Sequence, residues 1–395
     1  MKRKTWGIVL LFLVVVLIGM VSFIQIQMST VKVVLVEDLT VAFLEQKHAS
    51  DFIKETNGTL LDDFVIDTSN VGKQEVKVQF RNEYDRKVHY TFPINVVDTT
   101  APVIWLGNTY RVKQGSQINL EKQIMCGDNY DNTPKCWIEG EYDLTTIGEY
   151  SLVLKAVDHS GNQAEQPFTL VVYEPSSATK PVVTTTEFAS IVEKHKTETT
   201  EIGLDVSSWQ GEIDFEKIKA AGVEFMMLRV GGTRGTNGEY FLDRQFIRNI
   251  TNANQYGIKV GIYFYSYANS LEAAQQDANW VLEQIKDYQI DLPIAFDWEE
   301  WGNYNEYHLS FFGLTSMAEK FLETIEKAGY EGMLYSSKAY LERIWFPTKY
   351  DIWLAHYTTD TNYQGSYQMW QLCNDGSIDG IKGAVDINIR YLNQK

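Results

Sequence analysis

The chain has 395 residues, too many for one typical domain, and with 44% hydrophobic and 22% charged residues it has the composition of folded protein. Its formal net charge of −17 excludes partners held by clustered Lys and Arg, nucleic acid above all. With 23 Tyr and 10 Trp there are rings to spare for a sugar or protein surface, although most such rings are core.

Lys2, Arg3 and Lys4 are followed by no charged residue until Lys32. About 20 apolar residues cross a bilayer as a helix, and Trp6 to Ile26 meets that length. The expectation is a basic cytoplasmic tail (residues 1–5), a transmembrane helix (6–28) and all that follows outside the cell, a single-pass protein of the cell membrane. A cleaved signal peptide is the alternative, against which stand the length of the run and the lack of an A-x-A-like site after it.

Before residue 175 the sequence repeats at an offset of 76: Asp67, Gly72, Val76, Val78, Phe92 and Val96 fall on Asp143, Gly148, Leu152, Leu154, Phe168 and Val172. Each copy combines a Gly turn with period-2 alternation, the pattern of a strand, and each reads as a small all-β sandwich, residues 31–98 and 99–174. The junction VVDTTAPVI and the later AVDHSGNQA resemble the tandem immunoglobulin-like modules of bacterial surface proteins. Cys126 and Cys136 flank the polar GDNYDNTPK, so either a disulfide closes that loop or both thiols stay reduced. Cys373 reads as a buried small hydrophobe. Residues 175–200, rich in Ser, Thr, Pro and charge, read as an exposed linker.

From Glu201 strands alternate with amphipathic helices. Eight candidate strands (GLDVS, FMMLRVGG, KVGIYFYSYA, LPIAFDWE, GMLYSS, DIWLAHY, YQMWQL, VDINIRYL) predict a closed, TIM-like (β/α) barrel over 201–395. The last links are too short for full helices, so the later barrel is expected to be irregular. Active sites of parallel barrels collect where strands end, and acids fall there: Asp205 after the first strand, Asp297 and Glu299 after the fourth, with Asp386 beginning the last. Positions i and i+2 of a strand share a face, so both carboxyls of DWE can address one bond. Two close acids beside an apolar wall keep one proton, which glycosidic bond cleavage requires of its general acid.

Taken together and in order, GLDVSSWQGEIDFEKIKAAG, LRVGG followed by DRQFIRN, GIYFYSYA, AFDWE, WLAHY, MWQL and VDIN resemble the glycoside hydrolase family 25 lysozymes. The resemblance covers residues 201 to 395 and implies a muramidase that cuts the β-1,4 bond between N-acetylmuramic acid and N-acetylglucosamine of peptidoglycan; tethering would confine the cutting to wall near the membrane, which favours local cell-wall remodelling. It makes Glu299 the general acid and Asp297 its partner, either stabilising a charged intermediate or acting as nucleophile. It makes Asp205 and Asp386 cleft acids, and Tyr267, Trp353, Tyr357 and Trp370 aromatic substrate-binding residues. The barrel would face the cell wall, held to the membrane by the N-terminal helix.

Plainer readings stand beside these. Asp205 could cap the DVSSWQG loop, and Asp386 could pair with Arg229 or Arg390. Trp353 and Trp370 could be core; Glu300 reads as solvated and His356 as an ordinary strand residue. GGTRGTNG lacks the GK[ST] of a phosphate loop. No cofactor and no metal are inferred. A wall-binding or adhesion protein without turnover, and a hydrolase of chitin-like N-acetylglucosamine polymers, are the competing functions.

Overall fold

The computed structural model describes residues 13–22, 25, 28–174, 185–236, 238–299 and 304–392. No helix among them is long and apolar enough to cross a membrane. Residues 13–22 are helical. The rest of the expected 6–28 segment lies largely outside the described residues. The expected transmembrane anchor, and the single-pass membrane localisation that followed from it, are corrected accordingly.

The chain divides into two compact units, the first ending at Thr100 and the second beginning at Ala101. In the first unit a long hairpin, Gly72–Arg81 with Lys87–Val97, carries a four-stranded sheet completed by Thr40–Ala42 and Thr59–Leu60. Val76, Val78 and Phe80 of one strand and Phe92, Ile94 and Val96 of the other point to the same buried face, as period-2 alternation requires. The same hairpin recurs 76 positions later in the second unit as Gly148–Val157 with Gln163–Tyr173, flanked by Lys135–Glu139 and Thr109–Lys113. Neither copy is the expected immunoglobulin-like sandwich. Each has one four-stranded sheet and one two-stranded sheet; about 70 residues, roughly a third of them in the hairpin, leave too little chain for the seven strands and ~100 residues of that fold.

The remainder of the second unit is a closed barrel. Strands Thr200–Val206, Phe225–Thr233, Lys259–Tyr265, Ile294–Asp297, Gly332–Ser337, Asp351–Ala355 and Met369–Ser377 pair in that order, all parallel. Val385–Tyr391 closes the ring by pairing antiparallel with both Met369–Ser377 and Thr200–Val206. The expected TIM-like (β/α) barrel is corrected here. Helices Phe215–Ala220, Phe246–Gln255, Leu271–Ile285 and Phe311–Lys327 cover the early strands, only a single turn, Lys338–Leu341, follows the fifth, and no helix separates the last three. The link 378–384 between the last two strands is too short for a crossover, so the chain turns back beside its neighbour, which makes the closing strand antiparallel, whereas the longer link 356–368 still allows a parallel return.

Alternate residues line the barrel. Phe225, Met227, Met333, Trp353 and Met369 fill its middle, and two glycines are required by close approach: a Cβ on Gly203 would lie 2.4 Å from the Phe225 carbonyl, and one on Gly261 would meet the Met227 sulfur. At the floor Glu201 is ion-paired with Lys259 and with Arg390 at 2.9 Å. Although buried, it is held below its ordinary pKa by those two cations. The described part of the segment read as a linker packs on the barrel: Thr186–Glu187 pairs with Met369–Ser377, and the helix Phe188–His195 buries Phe188 and Ile191.

Candidate active site

Three strands deliver four acids to one mouth. Asp297 is the last residue of its strand and is 3% exposed. Trp298 turns away from it into the outer core, with its ring 5.1 Å from Tyr307 and 6.1 Å from Tyr304, so the side chain of Glu299 returns to the Asp297 side and is exposed. The two carboxyls hydrogen-bond to each other. Burial pushes the Asp297 carboxyl well above its ordinary range, and the Glu299 charge adds to the effect. Asp297 Oδ1 has no hydrogen-bond partner among the described residues.

Asp205, 5% exposed, and Asp386 stand directly opposite each other on paired strands. Gln371 Nε2 donates to Asp205 Oδ2 at 2.9 Å and to Asp386 Oδ2 at 3.4 Å, and Asn388 Nδ2 donates to Asp205 Oδ2 at 2.7 Å. Burial raises both aspartates, and for Asp386 the charge of Asp205 raises it further. The plainer readings of these two acids do not describe the structure. Ser207, not Asp205, caps the turn after the first strand. Arg229 is bound by Asp243, with Nη2 2.7 Å from Oδ2, and Arg390 by Glu201.

The expected aromatic residues separate. Tyr357 is half exposed and donates from its hydroxyl to Gln371 Oε1 at 3.0 Å. Together with Glu299, Tyr335 and Tyr340 it lines a cavity of about 380 Å³. Tyr267 lies at a second cavity of about 360 Å³ beside Tyr240 and Asp277. Trp353 is buried inside the barrel, donating to Asn388 Oδ1 at 2.8 Å, and Trp370 is buried on the outer face, donating to the His356 carbonyl at 2.8 Å. Neither reaches the cleft. His356 shares a hydrogen bond of 2.8 Å with Thr361, and burial lowers its pKa. Glu300 lies outside the described residues. Cys126 and Cys136 are joined in a disulfide, and Cys373 is free and buried.

Sequence reasoning missed Gln371, Asn388 and Tyr335. Gln371 is the hub: its Oε1 accepts from both Tyr335, at 2.9 Å, and Tyr357, while its amide holds the two aspartates. The signal was present, since a Gln in an apolar strand must find partners or cost about 1–3 kcal/mol. Chemically, the mouth presents four acids and several ring edges. Among the described residues no Lys or Arg forms an ion pair with Asp205, Asp297 or Asp386. Such a site attracts and stabilises positive charge.

The model of the glycosyl hydrolases family 25 matches residues 204–381, which contain Asp205, Asp297 and Glu299 and stop short of Asp386. The chain is 30% identical over 192 residues to the uncharacterised protein YegX of Escherichia coli (strain K12), covering 47% of this chain and 68% of that one. It is 26% identical over 189 residues to the autolytic lysozyme of Clostridium acetobutylicum, covering 47% of this chain and 54% of the relative. Among solved structures the modular autolysin LytC from Streptococcus pneumoniae, in complex with a synthetic peptidoglycan ligand, is similar at 23% identity and a TM-score of 0.43, over 60% of this chain and 56% of that one. At that score the likeness carries no argument about chemistry. The chain spans little more than half the length of the autolytic lysozyme and of the autolysin.

Proposed function

Because the chain belongs to glycosyl hydrolase family 25, and so is a glycoside hydrolase, we propose that it cleaves the β-1,4 bond between N-acetylmuramic acid and N-acetylglucosamine in peptidoglycan, with Glu299 as general acid and Asp297 as its partner. One observation carries this reading: an exposed carboxyl lining a cavity is hydrogen-bonded to a fully buried one whose charge burial disfavours. Such a pair holds one proton between two oxygens. In the open cleft burial keeps it on Asp297. A sugar that covers Glu299 strips that carboxylate of water and raises its own proton affinity, so the proton passes to the group beside the bridging oxygen.

When Glu299 gives the proton to the leaving oxygen, Asp297 is left anionic, with Oδ1 free to accept from or face the sugar as positive charge develops at the anomeric carbon. Asp205 and Asp386, held by Gln371 and Asn388, add negative potential and hydroxyl-binding oxygens. Tyr335 and Tyr357, fixed through Gln371, offer ring edges to the saccharide.

Glu299→Gln is the direct test. Removing a general acid costs about 10²–10⁴ in rate, so release of fragments with new muramic reducing ends from purified walls should fall by at least that lower factor. A variant that releases them at the parent's rate refutes the assignment. Walls bound by the parent without any release would favour a binding protein, and faster cleavage of chitin oligomers than of walls would move the substrate.

A further inference from the structure

The second β segment is fastened to the chain just beyond Glu299. Its strand Met125–Gly127 pairs on one edge with Val103–Trp105. On the other edge the Asn305 side chain takes the place of a strand: Nδ2 donates to the Ile124 carbonyl at 3.0 Å, and Oδ1 accepts from the Cys126 amide at 3.2 Å. Three more bonds follow within seven residues. Ser310 N donates to Asn132 Oδ1 at 2.9 Å, Phe311 N to the Asp128 carbonyl at 2.8 Å and Phe312 N to the Asn129 carbonyl at 3.2 Å.

Packing tells the same story. Met125 belongs to the barrel's outer core rather than to that of its own segment. Gly127 lies so close to the barrel that a Cβ there would sit 2.5 Å from the Phe311 ring and 2.7 Å from that of Tyr304. Tyr304 and Tyr307 are the rings against which Trp298 packs, and Trp298 stands between the two acids. A second contact reaches the opposite wall of the cleft: Trp105 packs on Tyr340 at 4.9 Å, beneath the Arg343 guanidinium at 4.7 Å, and Tyr340 lines the same cavity as Glu299.

We propose that Asn305 is a positioning residue, through which the strand Met125–Gly127 braces Tyr304, Trp298 and hence the Glu299 carboxyl against Asp297. The segment 101–173 is then a working part of the enzyme and not a spacer. The inference rests on Glu299 being the proton donor.

In the full chain, Asn305→Ala removes both amide contacts from the barrel side, and Gly127→Ala pushes the same interface apart from the other side. Displacements of this kind cost about tenfold or more in rate. Each variant should therefore lose about tenfold in kcat on soluble wall fragments while KM changes less than about twofold, and the pH profile of kcat should shift by about half a unit as Glu299 parts from Asp297. A structural contact would lower the melting temperature and leave the profile in place. A folded Asn305→Ala or Gly127→Ala enzyme with the parent's kcat and pH profile overturns the proposal, as does failure of both variants to fold, which would mark the contact as structural only. Loss of activity in Glu299→Gln beside no change in Asn305→Ala sinks the brace alone. Full activity in Glu299→Gln sinks the reading beneath it.

Discussion

Asp277 allows the electrostatics of this barrel to be tested away from the proposed chemistry. It projects from the helix Leu271–Ile285, is 3% exposed, and accepts from Ser266 Oγ at 2.6 Å and Tyr240 Oη at 2.8 Å. Burial raises its pKa from 3.8 to about 6, against the pull of those two hydroxyls. Because the folded chain holds this proton more tightly than the unfolded chain, stability falls as pH rises from about 4 to about 6 and is level on either side. At about 1.4 kcal/mol per pKa unit, the loss is ~3 kcal/mol. Asp277→Asn removes the charge. Its amide still accepts from one hydroxyl and donates to the other, at a cost of about 1 kcal/mol for the reoriented bond. The expected gain is about 2 kcal/mol at pH 7.5, turning into a loss of about 1 kcal/mol at pH 4, where only the reoriented bond counts, so the melting temperature rises by roughly 3–8 °C at the higher pH only. Calorimetry of parent and variant at pH 4, 5.5 and 7.5 decides the matter. An equal difference at all three values, or a variant less stable than the parent at pH 7.5, would refute the reasoning.

The same sign applies to Asp386, whose pKa burial and the Asp205 charge both raise. Asp386→Asn copies the protonated state that donates to Asp205, so it should melt higher than the parent at pH 8 and level with it at pH 4, while wall-fragment release at neutral pH changes little, because the protonated carboxyl that the amide replaces carries no charge there. Thermal melts and release assays on one preparation check both halves. Gln371→Leu should cost about 2–4 kcal/mol, because it leaves Asp205 Oδ2 with Asn388 alone and deprives Tyr335 and Tyr357 of their shared acceptor. Denaturant unfolding would measure it, and a midpoint unchanged from the parent would show that Gln371 holds nothing together.

Much of this was legible in the chain. The offset of 76 reappears as two hairpins whose strands begin and end 76 positions apart, because turn glycines and alternating apolar residues are local signals that survive without neighbours. The aromatic residues of the late barrel were not legible, for a physical reason. A barrel strand is buried on both faces, by its interior and by its outer layer, so alternation no longer distinguishes inside from outside. In MWQL, Trp370 faces the outer helix and Gln371 the interior; in WLAHY, Trp353 fills the core beneath the acids. The resemblance assigned rings to the cleft, when the side chains that organise it are an amide and a tyrosine whose partners lie 36 and 166 residues away. The helix in the expected linker was hidden in the same way: Phe188 and Ile191 make a single helical stripe inside a Ser-, Thr- and charge-rich stretch.

The placement of Asp386 links the fold to the site. It is the second residue of its strand, and in an all-parallel barrel the start of a strand lies at the floor, far from residues such as Asp297 that end theirs. Asp386 reaches the mouth only because the last strand runs backwards, which sets it opposite Asp205. The reversal also sends Arg390, four residues on, to the floor, where it pairs with Glu201. One change of direction therefore sorts charge along the barrel axis. Lys259 and Arg390 neutralise Glu201 at the closed end, and carboxyls gather at the open end, where Arg229 is bound by Asp243 and no cation is paired to Asp205, Asp297 or Asp386 among the described residues. A barrel closed by a parallel strand with the same sequence would bury Arg390 among the mouth acids, where its charge would hold their pKa values down and take from the pair at 297 and 299 the proton on which the proposed cleavage depends.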